Sequence, residues 1–250
     1  MANMNGSCVA LGNFDGLHIG HDVLIRRMID LSYETGQKSI IITFKFVKND
    51  LKKSSMNMKY INSPNKKFEI LKSYQADEIV EIELNETVSK YSPEDFIKLL
   101  VEDYKAKNIV VGYNFTFGYR AAGNINTLRE FQDKYGYSVE EILPVKYNGI
   151  AVSSTLIRNL LNEGKIHEAN KLLMNKYTMD MDEINFNLDK NMGFVSNKSS
   201  ILVPPDGKYM VRMGEREYLL KIVSNKKGAN LIFNQEVEEI KDIVFIDKAS

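Results

Sequence analysis

The stretch Gly12-Asn13-Phe14-Asp15-Gly16-Leu17-His18-Ile19-Gly20-His21 decides how this chain is read. It begins where an apolar run, Cys8-Val9-Ala10-Leu11, ends. It runs into a segment whose Leu24, Met28 and Leu31 recur at i, i+4 and i+7, the spacing of one helix face. A buried strand passing through a glycine turn into a helix opens an α/β unit, and such folds bind ligands beyond the carboxyl ends of their strands. Glycines let backbone N–H groups come close to a ligand, and the following helix N-terminus favours an anion. His18 and His21, three residues apart, are two of the three histidines. Their imidazole N–H groups could donate to a polyphosphate and to charge developing in a transition state. The spacing is not that of a G-x-G-x-x-G dinucleotide fingerprint. Two plainer alternatives are a metal pair, with His167 as the remaining histidine, and two surface or capping histidines in an ordinary turn.

Outward from this stretch the pattern repeats. Ser39–Phe44 is a continuous apolar run, as in strands covered on both faces. Residues 45–67 are polar and lysine-rich and are expected to form a loop, followed by a short strand over Glu78–Ile82. Ser92-Pro93-Glu94-Asp95 supplies a cap, a first-turn proline and two acids for a helix start, with Phe96, Leu99 and Leu100 facing the core. Asn108–Gly112 is a third buried strand; Leu128, Phe131 and Tyr135 mark another helix, and Val139–Val145 another strand. Alternating strands and helices imply a parallel sheet with right-handed crossovers. Ser153 or Ser154 caps a helix ended by Gly164, and a short helix is expected over Lys165–Met174. After Tyr177 the pattern turns to strands: Lys208–Met213 and Glu217–Val223 as a hairpin about Gly214-Glu215, then Leu231–Phe233 and Ile243–Ile246. The expected fold class is α/β: a Rossmann-like domain over residues 1–180 with a parallel sheet, and a small β-barrel-like domain over 185–250, with the boundary near 178–186.

Two further stretches carry chemistry. In Val152-Ser153-Ser154-Thr155-Leu156-Ile157-Arg158, three hydroxyls open a helix and an arginine lies one turn in. This is either a simple N-cap or a phosphate cradle with the guanidinium clamping oxygens. Gly112-Tyr113-Asn114-Phe115-Thr116-Phe117-Gly118-Tyr119-Arg120 follows a strand and should reach the same sheet edge as the first motif. Its aromatics could stack on a planar ring or anchor a hydrophobic loop.

The chain has 250 residues, 44% hydrophobic and 26% charged, with 33 basic and 33 acidic side chains. That is ordinary globular composition, and the zero net charge argues against a generally basic nucleic-acid binder. One cysteine allows no internal disulfide and no cysteine-rich zinc site. No apolar run approaches the length of a membrane span, and no signal peptide is discernible. The expected setting is a soluble, cytoplasmic protein without membrane or nucleic-acid partners.

Together, GNFDGLHIGH, VVGYNFTFG and VSSTLIR, in this order, resemble the FAD synthetase module of prokaryotic bifunctional riboflavin kinase/FAD synthetases, within the HxGH nucleotidyltransferase superfamily. The resemblance covers roughly residues 7–177. It implies adenylyl transfer: the FMN phosphate attacks the α-phosphorus of ATP, with Mg²⁺, giving FAD and pyrophosphate. By resemblance His18, His21 and Arg158 are catalytic. Gly12, Asn13, Phe14, Asp15 and Gly16 line the adenylate site, and Ser153, Ser154 and Thr155 hold the triphosphate. Asn114, Phe115 and Phe117 face the flavin, and no protein-held metal is implied. Two stretches depart from the family. Where it carries Thr-Phe-Glu-Pro-His-Pro, this chain reads Thr43-Phe44-Lys45-Phe46-Val47-Lys48. The kinase motif Gly-Phe-Pro-Thr-Ala-Asn is matched only by Gly193-Phe194-Val195-Ser196-Asn197-Lys198, and the region expected to hold a catalytic glutamate reads Gly228-Ala229-Asn230-Leu231-Ile232-Phe233, with no acid. The expectation is an FMN adenylyltransferase with a kinase-like tail that lacks kinase activity. The alternatives are transfer to another phosphorylated acceptor and a non-catalytic flavin or nucleotide sensor.

Overall fold

The computed structural model describes residues 6–46, 59–180, 184–187, 191–237 and 242–249. Val47, Lys48 and most of the loop expected over 45–67 lie outside these residues, as do residues 181–183 of the expected boundary region. The chain divides into two compact units. One comprises residues 1–14, 20–57 and 71–145, and the other residues 15–19, 58–70 and 146–250.

In the first unit the elements are β1 (Ser7–Leu11), α1 (Ile19–Thr35), β2 (Lys38–Phe46), the end of α2 (Pro64–Lys72), β3 (Glu78–Leu84), α3 (Pro93–Glu102), β4 (Ala106–Gly112), α4 (Ile125–Tyr135) and β5 (Ser138–Ile142). The five strands are all parallel, in the order β3-β2-β1-β4-β5. Strand succession runs one way from β1 to β3 and reverses at β4. With right-handed crossovers, that reversal puts α1 on one face and α3 and α4 on the other, and it leaves a crevice between the ends of β1 and β4. Val9, Leu11, Ile40, Ile42, Ile109 and Val111 form one core with Phe96, Ile97 and Leu100 of α3 and Leu128 of α4. Cys8, Ala10, Ile41 and Val110 alternate to the opposite face and are equally buried. Helix α3 begins as its sequence predicts: the Ser92 side chain accepts from the Asp95 N–H, and the Asp95 carboxylate accepts from the Ser92 N–H.

Two readings of the sequence are corrected, and one element is added. The expected loop over 45–67 contains the start of α2, because Ser63 caps it, accepting from the Lys66 N–H at 3.1 Å, and Pro64 takes the first helical position. The strand expected to reach Val145 stops at Ile142; Pro144 has no N–H to continue a ladder. A small hairpin went unread. It joins β6 (Lys146–Tyr147) to β7 (Ile150–Ala151) through Asn148 and Gly149, both at positive φ, the two-residue turn that Asn-Gly favours.

The second unit continues with α5 (Ser154–Asn162), α6 (Ile166–Leu172), β8 (Thr178–Met179), β9 (Asn185–Asn187), β10 (Met192–Ser196), β11 (Gly207–Met213), β12 (Arg216–Asn225), β13 (Gly228–Phe233) and β14 (Ile243–Lys248). Its seven strands form an antiparallel sheet ordered β8-β14-β11-β12-β13-β10-β9, curled into a half-barrel. Alternate side chains turn inward: Tyr209, Val211 and Met213 on β11, and Tyr218, Leu220 and Ile222 on β12. They share one apolar core with Ile157 and Leu161 of α5 and with Ile166, Ala169 and Leu172 of α6. The expected hairpin forms, with Met213 opposite Arg216 across Gly214-Glu215. Strands β8, β9 and β10 had no clear sequence signal, being short and poor in alternation.

Candidate active site

In the first unit a cavity of about 540 Å³ opens at the carboxyl edge of the parallel sheet. Its walls include the ends of four strands, Leu11 of β1, Phe44 of β2, Leu84 of β3 and Gly112 of β4. Gly12 and Asn13 from the turn, His21 and Leu24 from α1, and Asn114, Phe115 and Phe117 from the loop after β4 complete it. The residues that sequence assigned to a ring-stacking loop and to the first glycine turn therefore line one space.

The turn after β1 is tightly specified. Phe14 is fully buried at a φ of 51°, a left-handed conformation uncommon for an aromatic residue. Its ring lies over Gly12, where a Cβ would meet Phe14 ring carbon at 2.8 Å, so only glycine fits. The same ring meets His21 edge-on, with centroids 5.2 Å apart and planes at 76°. Thr43, fully buried on β2, donates its hydroxyl to the Asn13 carbonyl at 3.1 Å and ties the turn to the neighbouring strand. The sequence reading did not single out Thr43; a hydroxyl amid the apolar run of β2 was the available signal.

The aromatic wall is continuous. Phe115 stacks on Phe117 at 5.7 Å and 17°, Phe117 meets Phe96 at 5.3 Å, and Phe96 meets Phe44 at 6.1 Å. Phe117 is 6% exposed and belongs to the core, whereas Phe115 is half-buried. Phe117 therefore anchors the loop, one of the two alternatives read from sequence, and Phe115 keeps part of its surface exposed. The loop is pinned by paired backbone bonds between Phe117 and Gly123, and by the Tyr119 N–H on the Tyr91 carbonyl.

The second unit holds a charged cluster. Asp15 is 3% exposed. Its Oδ1 accepts from the backbone N–H groups of Ile61 at 2.9 Å and Asn62 at 3.3 Å, and its Oδ2 accepts from Arg158 Nη2. Arg158 Nε also donates to the Lys59 carbonyl at 3.2 Å. Burial pushes the Asp15 carboxyl above the usual carboxylate range, opposed by Arg158 and the two amides. Gly16, at a φ of 59°, packs against Ile61, where a Cβ would sit 2.6 Å from the isoleucine side chain. Ser153 is the N-cap of α5 and accepts from the Leu156 N–H at 3.2 Å, while Ser154 donates its hydroxyl to the Asp15 carbonyl at 2.7 Å. Thr155 is exposed. His18 is 5% exposed, and burial lowers its pKa to about 4, so its imidazole is neutral at neutral pH. Its backbone bridges to Leu173, and the adjacent Leu17 carbonyl accepts from the Met174 N–H.

Structure thus brings Gly12, Asn13, His21, Asn114, Phe115 and Phe117 to one cavity, and Asp15, Ser154 and Arg158 to one cluster. The partners of Asp15, Ile61 and Asn62, were not legible, since they act through backbone amides. Among the described residues no three His, Cys, Asp or Glu side chains group closely enough to hold a metal ion. No helix among them is long and apolar enough to cross a membrane.

The chain is 32% identical over 200 residues to the bifunctional riboflavin kinase/FMN adenylyltransferase of Buchnera aphidicola subsp. Schizaphis graminum, covering 79% of this chain and 64% of that protein. A second such relative, from Buchnera aphidicola subsp. Acyrthosiphon pisum, is 32% identical over 68% of this chain and 54% of its own length. The chain therefore spans less than two thirds of these relatives. The crystal structure of a macrolide-efflux protein from Streptococcus pneumoniae superposes with a TM-score of 0.77 at 20% identity, over 98% of this chain and 86% of that one; it shares the fold. The FAD synthetase family model matches residues 1–156, the span that holds the glycine turn, both histidines, the aromatic loop and the first turn of α5, and on that match the chain belongs to the FAD synthetase family.

Proposed function

We propose that this chain is an FMN adenylyltransferase. An FMN phosphate oxygen attacks the α-phosphorus of ATP, the bond from the α-phosphorus to the bridging oxygen breaks, and pyrophosphate leaves. The observation that carries the reading is the sheet-edge cavity, where an aromatic wall wide enough for a planar ring stands beside His21 and the glycine turn. Its apolar walls with a few polar groups are what a ring ligand needs. No covalent intermediate is required, so the contributions are positioning and charge stabilisation.

In this reading Phe115 faces the flavin with Phe117 stacked behind it, and Asn114 supplies a polar contact. His18, neutral, can donate one N–H; His21 and Arg158 donate to the phosphates and to the charge that develops on them. The backbone of residues 12–16 borders the adenylate. Ser153, whose hydroxyl hydrogen is not needed for its cap, and Thr155 serve the triphosphate through their hydroxyls, and Ser154, whose hydroxyl is given to the Asp15 carbonyl, through its helix-start N–H. Mg²⁺ enters with the substrate, as MgATP. The single, buried cysteine suits a reducing cytoplasm.

The same proposal leaves the curled sheet without riboflavin kinase activity. The two degenerate stretches, 193–198 and 228–233, are antiparallel neighbours on β10 and β13, with Val195 opposite Ala229 and Phe194 opposite Asn230. Neither carries an acid. The test is incubation of the purified chain with MgATP and either FMN or riboflavin, with flavins resolved by chromatography. FAD from FMN and no product from riboflavin is expected. FMN or FAD formed from riboflavin would overturn the tail assignment. MgATP binding without FAD formation would favour another phosphorylated acceptor, to which the changed stretch after Phe44 would then be matched.

A further inference from the structure

Sequence places Asp15 among the residues around the nucleotide, yet its carboxylate is fully engaged inside the protein. Oδ1 carries the Ile61 and Asn62 amides, Oδ2 faces Arg158, and the side chain is 4% exposed. Arg158 in turn is gripped at two points, by that carboxylate and by the Lys59 carbonyl. A guanidinium has five N–H donors in a rigid plane. Two are taken by these acceptors, which fixes the plane and leaves three to donate. Ser154 and Arg158 stand one turn apart on α5, and both are tied to Asp15, one at its carbonyl and the other at its carboxylate. One residue therefore orients two of the side chains of that helix.

We propose that Asp15 is a positioning residue whose carboxylate holds Arg158 from behind, so that the remaining guanidinium N–H groups meet the phosphates, and that this carboxylate makes no contact with the nucleotide itself. The inference rests on the assignment of Arg158 to the ATP phosphates. A carboxylate in direct contact with a triphosphate would repel it, whereas one screened by the guanidinium pre-orients a donor, which then needs no reorganisation when the ligand arrives. Burial disfavours the ionised acid and Arg158 opposes this, so an Asp15 without its arginine has little left to orient.

The test is a double-mutant cycle on the full chain, reading the MgATP dissociation constant by titration calorimetry for wild type, Asp15→Asn, Arg158→Ala and the pair. Asp15→Asn should weaken MgATP about tenfold when Arg158 is present and less than about twofold when it is alanine, the non-additivity of residues acting as one unit. An equal loss in both backgrounds, or no loss in either, would overturn the proposal. A folded wild-type chain that fails to bind MgATP would overturn it together with the assignment of Arg158. Binding without FAD formation would overturn the acceptor alone and leave the coupling measurable. If Asp15→Asn does not fold, Asp15→Glu keeps the charge, displaces it by one methylene and gives the same read-out.

Discussion

The cavity of the first unit and the charged cluster of the second draw on one ten-residue stretch, and they are built from opposite chemistry. Gly12, Asn13 and His21 border a mostly apolar space walled in part by four phenylalanines. Asp15 sits in a buried network of amides and a guanidinium. The first is shaped by packing and can tolerate a ligand of suitable outline. The second is a set of directional bonds in a low-dielectric setting, where an unmatched partner is costly. A site read as a list of motif residues hides this division between groups that face a ligand and groups that hold those groups in place.

The largest expected effect separates the two phenylalanines of the loop. Phe117→Ala should cost about 3–5 kcal/mol of stability, as for a buried phenylalanine, seen as a lower urea midpoint. Phe115→Ala should leave the midpoint nearly unchanged and raise the KM for FMN up to about tenfold, the size of one aromatic pair. Equal stability losses would remove the distinction between anchor and ligand face. Next, His21→Ala should lower the rate of FAD formation at least a hundredfold, on the order of 3 kcal/mol in transition-state binding. A near-normal rate would take that histidine out of the mechanism.

A third effect is pH-dependent and belongs to His18. Its pKa is about 4 in the folded chain against an ordinary 6.5, so between these values the unfolded chain binds the extra proton. Its stabilising contribution is complete above pH 6.5 and is lost as pH falls to 4, by about 3 kcal/mol. Urea unfolding of wild type and His18→Gln across this window should show the gap between them moving by that amount against wild type; a pH-independent gap would contradict burial as the cause. The smallest effect concerns the cap of α5. Ser153→Ala should cost about 1 kcal/mol, and a much larger loss of activity than of stability would mark its hydroxyl as a phosphate ligand as well.

The parts of the fold legible in the sequence are those specified locally. The β-branched run of β2, the Ser92-Pro93 start of α3 and the Gly214-Glu215 hairpin each carry their own signal within a few residues. The start of α2 carried a similar signal in Ser63-Pro64 but was masked by the polar run around it. Strands β8 to β10 are short and find their places through neighbours in the sheet, so nothing local announced them.

For the site, the sequence by itself determined which chemistry is present: a glycine turn, two histidines, an aromatic loop, and a hydroxyl-rich helix start with an arginine. Tertiary structure decided which groups are available. Asp15 meets amides 46 and 47 positions away and an arginine 143 positions away, and such pairings leave no trace in a local pattern. It also separated Phe117 from Phe115, two stacked rings of one motif, because Phe117 packs on against Phe96 in the core while Phe115 stays half-buried, a difference set by packing between distant segments.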